Sequence, residues 1–496
     1  DALNLYPLER PRRLPVSFRS TNQTKNRFQT QIFSFRMFQA AFVFVVLVAT
    51  VLTFTNRKTS AGEASSDAHQ TESEKQKSAQ FKKFQRSFLA VSLLAWFSDW
   101  LQGAYIYDLY SSYGFSQEEI AQLFVAGFLS SMVFGSYVGA MADKYGRKKM
   151  CTAYALSYIL SCCTKPFNDF NVLMVGRVLG GIATSLLFTV FEAWMVCEHQ
   201  NKGFHPSLMS STFSKLTAGN GVVAVLAGLV ANASTVYFST PLAPFIVACF
   251  PLTLVSLLSL TWSENYGDST VSVCSSLKRA WVYICSDYRI VSIGFSQALF
   301  EAGMYIFVFI WTPALRDIDF VYTDLVQNNL GIIFASFMTC TIVGSNLMEL
   351  CMGPKSSVSM YDFAMFAHLL ATFALVYSSM TQDTYAMFAL FLVFEVAVGM
   401  FYPSYSMIKS KHIQEEVRST VMNYFRIPLN AFVAIILLRI SHFPSSFALL
   451  MASGMHLLAL LLFYKNMSLL KLTTEKEKEA CEITQKRRLE DHIEMG

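Results

Sequence analysis

The stretch GAMADKYGRKK, residues 139–149, places five charged residues within Asp143–Lys149 and has an apolar run on each side. A helix needs about 20 apolar residues to cross a hydrocarbon core of roughly 30 Å. Charge of this density between two such runs is typical of a tight turn that joins two transmembrane helices. We expect Gly139 to let two helices approach closely, Asp143 to accept hydrogen bonds from a helix N-terminus, and Gly146 to turn the chain.

The remainder of the chain has the same organisation. Of its 496 residues, 53% are hydrophobic and 15% are charged, whereas a soluble domain carries about 25% charged residues. Its ten cysteines have no metal-site or disulfide spacing, and the sequence shows neither a nucleophile–base constellation nor a phosphate-binding loop. We therefore predict a multi-pass membrane protein that is not an enzyme, has no cofactor or metal, and binds no nucleic acid.

Thirteen apolar segments predict thirteen transmembrane helices. They lie at 37–55, 87–108, 119–141, 149–166, 170–195, 213–235, 241–262, 290–313, 328–350, 360–379, 384–407, 419–440 and 445–465. The predicted organisation is a basic extension (1–36), one extra helix (37–55), a cytoplasmic linker (56–86), a six-helix N-terminal half (87–262), a cytoplasmic loop (263–289), a six-helix C-terminal half (290–465) and a cytoplasmic tail (466–496).

The positive-inside rule orients these helices. The connections on the side of the 139–149 turn, together with the C-terminal tail, hold 26 Lys and Arg residues, whereas the opposite connections hold only Lys165, Arg316 and Arg439. The first set is therefore predicted to be cytoplasmic. The basic, acid-poor residues 1–36 conflict with this orientation, because thirteen spans place them outside, and they are similar to a targeting extension.

The two halves contain weak internal echoes, as expected of a transporter built from parallel repeats. The first helix of each half has a deep acid followed by Gly and Tyr: Asp99, Gly103 and Tyr105 in one half, and Glu301, Gly303 and Tyr305 in the other. The fourth helices share a charge followed four residues later by Gly, in RVLGG (177–181) and EVAVG (395–399). Together these echoes favour duplication of a six-helix unit.

The pattern G-x-x-x-D-K-x-G-R-K-K resembles the signature loop of the major facilitator superfamily, and Arg177–Gly181 resembles its second signature. The resemblance implies an all-α bundle of six plus six helices in two pseudo-symmetric halves, plus the extra N-terminal helix. It also implies that the turn is a gating element formed by Gly139, Asp143, Gly146, Arg147 and Lys148.

Longer stretches resemble one branch of this superfamily, the eukaryotic molybdate-anion transporters. They are SDWLQGAYIYDLY (98–110), VGRVLGGIATSLLFTVFEAW (175–194), WSENYGD (262–268), QALFEAGMYIFVFIWTPAL (297–315), LGIIFASFM (330–338) and NYFRIPLN (423–430). The resemblance implies secondary active uptake of molybdate by alternating access, and we expect the plasma membrane as its location.

In a facilitator-type fold the first and fourth helices of each half line the central path. The resemblance therefore places Asp99, Arg177, Glu301 and Glu395 along it, with Arg426 slightly to the cytoplasmic side. A guanidinium suits tetrahedral oxyanions and stays charged at physiological pH, so we expect Arg177 and Arg426 to bind the substrate. The three carboxylates would hold these arginines in the empty site. Hydrogen bonds from Tyr105 and Asn423 to the substrate are also expected.

The charges of these five residues suggest a mechanism. Two arginines against three carboxylates leave one negative charge, and a dianion would make it three, which a site of low dielectric does not tolerate. We therefore expect a proton to enter with the anion, with Glu301 as the first candidate carrier.

Several alternatives remain open at this level. One alternative is that the buried charges only brace the helices. Another is that the solute is sulfate, an organic anion or a sugar. A third is that the chain is a non-transporting transceptor or scaffold whose tail (475–492) binds a partner.

Overall fold

The computed structural model describes residues 37–56, 72–267, 273–318, 323–352 and 358–465. This part of the chain is helical, apart from its connections. The helices are α1 (Met37–Asn56), α2 (Glu72–Gly103), α3 (Ile106–Ser112), α4 (Gln117–Tyr145), α5 (Arg147–Thr164), α6 (Phe170–Leu187), α7 (Val190–Asn201), α8 (Pro206–Phe238), α9 (Ala243–Leu260), α10 (Val273–Ser286), α11 (Tyr288–Asp317), α12 (Thr323–Cys351), α13 (Met360–Met380), α14 (Thr384–His412), α15 (Glu415–Leu437) and α16 (Ser445–Lys465). The predicted extension 1–36 and tail 466–496 lie outside the described residues.

Each of the thirteen predicted spans is helical. Eleven described stretches are long and apolar enough to cross a membrane. The other two spans are the apolar part of α2 and helix α5, which are more polar because α2 carries Asp99 and Gln102 and α5 begins with three basic residues. Within the N-terminal half, the first predicted span (87–108) is divided into α2 and α3, and the fourth (170–195) into α6 and α7. Both divisions lie close to the candidate site described below.

Short polar caps explain where several helices begin. Ser116 and Glu119 form a capping box at the start of α4, and Ser359 and Asp362 form one at the start of α13. At the start of α6 the Asp169 carboxylate accepts hydrogen bonds from two backbone N–H groups. These side chains satisfy N–H groups that the first helical turn leaves without partners, so the apolar segments begin at defined residues.

The helices form two halves, α2–α9 and α11–α16, which meet where α4 packs on α15 and α8 packs on α12. Helix α1 packs on the C-terminal half, against α12 and α14. The Phe38 ring contacts Phe388 edge-on at 4.9 Å. At the other end of α1, Asn56 Nδ2 donates to Glu349 Oε2 at 3.2 Å. The extra helix α1 therefore lies at the periphery of the C-terminal half.

Two predicted connections contain helix. The linker expected over 56–86 is helical from Glu72 onward, as part of α2. The loop expected over 263–289 contains α10, which packs on α15 and α11, and there the Tyr424 hydroxyl donates to the Leu277 carbonyl at 3.1 Å. Its buried residues Ala280 and Ile284 share an apolar cluster with residues of α15. Helix α10 thus belongs to the C-terminal half.

The turn at 139–149 separates α4 from α5. We call this end of the bundle the inner end and the opposite end the outer end. Gly146 turns the chain with a backbone φ of 108°, a value that residues other than glycine rarely adopt. Arg147 Nη2 lies 2.7 Å from Asp143 Oδ1. The turn therefore has the compact geometry that its sequence predicts.

Segment 262–267 packs on this turn. The Lys148 N–H donates to Glu264 Oε1 at 2.8 Å, the Arg147 N–H to the Asn265 carbonyl at 3.0 Å, and the Gly267 N–H to the Asp143 carbonyl at 3.2 Å. The Trp262 ring stacks on Trp194 at 3.8 Å. The start of the connection between the halves is thereby fixed to the N-terminal half.

Two expectations about the turn are wrong in this conformation. Gly139 does not serve a close helix approach, because a Cβ built on it would meet no atom within 4 Å. The carboxylate that accepts from the N-terminus of α5 belongs to Glu264, because the Asp143 carboxylate is engaged by Arg147.

Candidate functional site

A cavity of about 250 Å³ lies between the two halves. Helices α2, α4, α5 and α6 border it from the N-terminal half, and α11 and α15 from the C-terminal half. Five charged side chains line it: Asp99, Lys165, Arg177, Glu301 and Arg426. Four of these five were predicted from the sequence, and the structure brings them together in one space.

Arg177 reaches the cavity from α6 and is held by neutral groups. Its Nε donates to the Leu123 carbonyl at 3.1 Å, and its guanidinium carbon lies 5.0 Å from the centre of the Phe124 ring. A Cβ on Gly127 would lie 2.5 Å from Nη2 of Arg177. Glycine at this position of α4 therefore leaves the space that the guanidinium occupies.

Arg426 enters from the other half, on α15, and its guanidinium carbon lies 5.7 Å from the centre of the Phe188 ring. Phe188 is the residue at which α6 ends, just before α7 begins. The division of the fourth span thus presents an aromatic face of the N-terminal half to an arginine of the C-terminal half. Cation–π contact is favourable, yet it leaves the N–H groups at the guanidinium edge able to donate elsewhere.

The carboxylates of the cavity are bound by uncharged donors. The Tyr158 hydroxyl donates to Asp99 Oδ1 at 2.6 Å, and Gln297 Nε2 donates to Glu301 Oε1 at 2.7 Å. Among the described residues, no ion pair within 4.0 Å joins a cavity arginine to a carboxylate. Asp99 nevertheless lies close enough to Arg177, and Glu301 to Arg426, for their opposite charges to attract. Glu395, the third carboxylate expected to hold the arginines, lies outside the cavity lining.

Lys165 is the cavity cation that the sequence argument missed, because it was counted among the outer connections. It caps the C-terminus of α5, where its side chain turns inward and is only 1% exposed. Its Nζ donates to the Tyr110 hydroxyl at 2.9 Å. Its position inside the predicted 149–166 span was the signal that could have identified it, since a lysine within a span usually faces a cavity or a partner.

The structure places three predicted substrate-binding residues outside the cavity lining. Tyr105 is fully buried, where its hydroxyl donates to Asn232 Oδ1 at 3.1 Å and accepts from the Gly331 N–H at 3.3 Å. Asn423 lies one helical turn from Arg426 toward the inner end. Glu395 on α14 is 5% exposed, within the C-terminal half and near Cys340 of α12.

The halves are joined at the outer end. Asp108 on α3 forms a buried ion pair with Arg316 near the end of α11. Below it the Phe309 ring contacts Tyr107 at 5.4 Å and Phe124 at 5.1 Å, both edge-on. The Tyr105 bonds also connect α8 with α12 in this region. These contacts form an outer seam, by which we mean the Asp108–Arg316 pair with the rings beneath it, and they close the cavity on that side.

Comparison with known sequences gives the family. A family model described as sugar transporters, 12 TM, matches residues 37–393. The molybdate-anion transporter of Takifugu rubripes is 35% identical over 381 residues, covering 71% of this chain and 78% of that relative. That of Xenopus tropicalis is 34% identical over 361 residues, with 71% and 77% covered. The chain belongs to the molybdate-anion transporter family. This confirms the resemblance seen in its sequence.

The matching family model is one of the major facilitator superfamily, and solved transporter structures share the fold of this chain. The nucleoside transporter NupG aligns with a TM-score of 0.62 at 12% identity, covering 77% of this chain and 98% of that one. The xylose transporter XylE from E. coli, in an inward-open conformation, aligns with a TM-score of 0.58 at 12% identity, covering 78% and 96%. At this identity the likeness establishes the fold alone. The relatives and these neighbours are transporters rather than enzymes.

Proposed function

We propose that this chain is a secondary active transporter that takes up molybdate, a tetrahedral oxyanion, by alternating access. The observation that carries the proposal is the pair Arg177 and Arg426, one from each half, with neither guanidinium paired to a carboxylate. An unpaired cation in a site of low dielectric is costly. A bound anion offsets that cost, so the empty cavity is matched to a negatively charged solute.

The polar lining favours an anion over a sugar. Three of its side-chain N–H donors, one indole and two amides, are already engaged: Trp100 Nε1 donates to Asn220 Oδ1, Gln102 Nε2 to the Ser98 carbonyl, and Asn430 Nδ2 to the Arg426 carbonyl. A sugar site needs side-chain donors and acceptors aimed at its hydroxyls, whereas the two guanidinium edges suit the oxygens of an oxyanion. The curated relatives carry the name molybdate-anion transporter, and we extend that substrate to this chain.

The two arginines also support alternating access. Arg177 belongs to the N-terminal half and Arg426 to the C-terminal half, and the outer seam joins the halves above them. An anion that contacts both guanidiniums would couple its own binding to the relative position of the halves. We assign the described conformation, closed at the outer end, to the inward-facing stage of the cycle.

Proton coupling is a second part of the proposal, with Glu301 as the carrier. The cavity lining holds three cations and two carboxylates, since Lys165 is present and Glu395 is absent. Its formal charge is +1, where the sequence argument gave −1, so a dianion brings it to −1. One proton, taken up by Glu301, makes the loaded cavity neutral. The structure thus supports a single proton for each molybdate.

Purified protein in liposomes tests the proposed function. We expect uptake of radiolabelled molybdate that resists excess glucose, and Arg177→Ala should reduce it to the level of empty liposomes. Lys83→Met is the control, because Lys83 is exposed on the inner part of α2. Uptake that glucose abolishes, or that equals empty liposomes for the unaltered chain, would overturn the proposal. Excess sulfate in the same assay measures selectivity between tetrahedral dianions.

We also propose the plasma membrane as the location. A membrane-impermeant biotin reagent applied to intact cells should label the protein in proportion to the molybdate uptake of those cells. Protein that is fully protected in intact cells and labelled only after they are opened would assign it to an internal membrane.

A further inference from the structure

Lys165 occupies an unusual position for a lysine. Its side chain lies between two rings, with Nζ 5.3 Å from the centre of the Tyr110 ring and 6.0 Å from that of Phe245. Its own carbonyl accepts a hydrogen bond from the Tyr113 hydroxyl at 2.6 Å, which fixes the backbone at the end of α5. The ammonium group is therefore held at the cavity wall rather than free to reach solvent.

No described carboxylate lies within ion-pairing distance of Lys165. Its nearest charged neighbour is of the same sign, because Arg177 lies close enough for the two cations to repel one another. Both approach the Tyr110 hydroxyl, to which Lys165 donates. An ammonium has three donors, and the Tyr110 bond occupies one of them. Two buried like charges repel one another, and an anion that arrives between them relieves this repulsion.

We infer that Lys165 sets the charge selectivity of the cavity, favouring tetrahedral dianions over tetrahedral monoanions of the same shape. The inference rests on the proposed function and deepens it. With Arg177 and Arg426 as the only cations, the cavity would have formal charge 0. Lys165 adds the third positive charge, and its attraction to a dianion is twice its attraction to a monoanion at the same distance.

Molybdate and perrhenate are suitable probes, because both are tetrahedral oxyanions of a heavy metal and they differ by one unit of charge. The measurement is the affinity of the purified protein in detergent for each anion, at fixed ionic strength, in the unaltered chain and in Lys165→Met. The dianion preference, defined as the ratio of the two affinities, should fall by about tenfold or more in the variant, the scale of one charge-assisted hydrogen bond. Perrhenate affinity should fall as well, by about tenfold where molybdate affinity falls by about a hundredfold, because the lysine attracts the monoanion half as strongly.

The ratio separates this role from a structural one. If Lys165 only complements the C-terminus of α5 or packs between the two rings, its loss would weaken both anions equally or neither, and either result overturns the inference. If the methionine variant does not fold, the same affinity ratio is measured in Lys165→Gln, which keeps a hydrogen-bond donor for Tyr110. Lys83→Met is the matched control for an exposed lysine. Absence of binding of both anions by the unaltered chain would instead overturn the proposed function.

Discussion

The outer seam and the central cavity use arginine in opposite ways. At the seam Arg316 is paired with the buried carboxylate of Asp108, and the pair joins the two halves. In the cavity, Arg177 and Arg426 rest on the Phe124 and Phe188 rings, and among the described residues neither forms an ion pair within 4.0 Å. A paired arginine closes a contact, whereas an arginine on an aromatic face is positioned without being neutralised. The difference fits the proposal that the seam acts as a gate and the cavity as the substrate site.

The largest expected effect follows removal of an unpaired cavity arginine. Arg177→Ala should lower molybdate uptake by about 100-fold or more, because two charge-assisted hydrogen bonds are lost. Arg177→Lys should give an intermediate rate, since it keeps the charge and loses the planar fork. Initial uptake rates in liposomes, at matched protein content, provide the measurement. Equal rates for the alanine variant and the unaltered chain would remove Arg177 from the site.

Breaking the paired arginine should change conformation more than binding. Arg316→Gln leaves Asp108, which is 2% exposed, without its partner, and loss of one partner of a buried pair costs about 3–5 kcal/mol. Opening at the outer end should become easier. A cysteine at the cavity residue Met132, in a chain whose other reactive cysteines are replaced, should then react several-fold faster with an impermeant thiol reagent applied from outside.

The seam prediction has its own control. Exchange of the two charges, Asp108→Arg with Arg316→Asp, restores opposite signs and should return the labelling rate toward that of the unaltered chain. A labelling rate that Arg316→Gln does not change would show that the ion pair does not hold the seam closed.

A smaller and different effect is expected for the cavity carboxylate Glu301. If it carries the proton, uptake by the unaltered chain rises as the external pH falls, and Glu301→Gln flattens this dependence because the amide cannot be protonated in this range. Uptake rates between pH 5.5 and 8 in both proteins test the proposal. A variant that keeps the full pH dependence would exclude Glu301 as the carrier.

The smallest effect is expected for Glu395, which was predicted beside Glu301 and lies outside the cavity lining. Glu395→Gln keeps the shape of the side chain, removes a buried charge and should leave uptake within about twofold. The thermal midpoint of the purified variant should be unchanged or higher, since an uncompensated buried carboxylate is unfavourable. A loss of transport as large as that of Arg177→Ala would place Glu395 on the transport path.

Much of this arrangement can be predicted from the sequence. The thirteen spans follow from apolar length, and Asp99, Arg177, Glu301 and Arg426 follow from the cost of charge at mid-membrane. Lys165 was not predicted as a cavity residue, because a count of basic residues treats a lysine at the end of a span as solvent-exposed. Glu395 was misplaced relative to the cavity because the position of a residue along a helix fixes its depth in the membrane but not the way its side chain faces. The way a side chain faces depends on which neighbours its helix packs against, and only the three-dimensional structure shows these neighbours.

The packing of segment 262–267 on the 143–149 turn has a mechanical consequence. Gly267 is bound to the N-terminal half through Asp143, and α10, which begins at Val273, is bound to the C-terminal half. Six residue steps separate these anchors, and a fully extended chain of that length spans only roughly 20 Å. The length of the connection therefore limits how far these two anchored points can move apart when the inner ends of the halves separate.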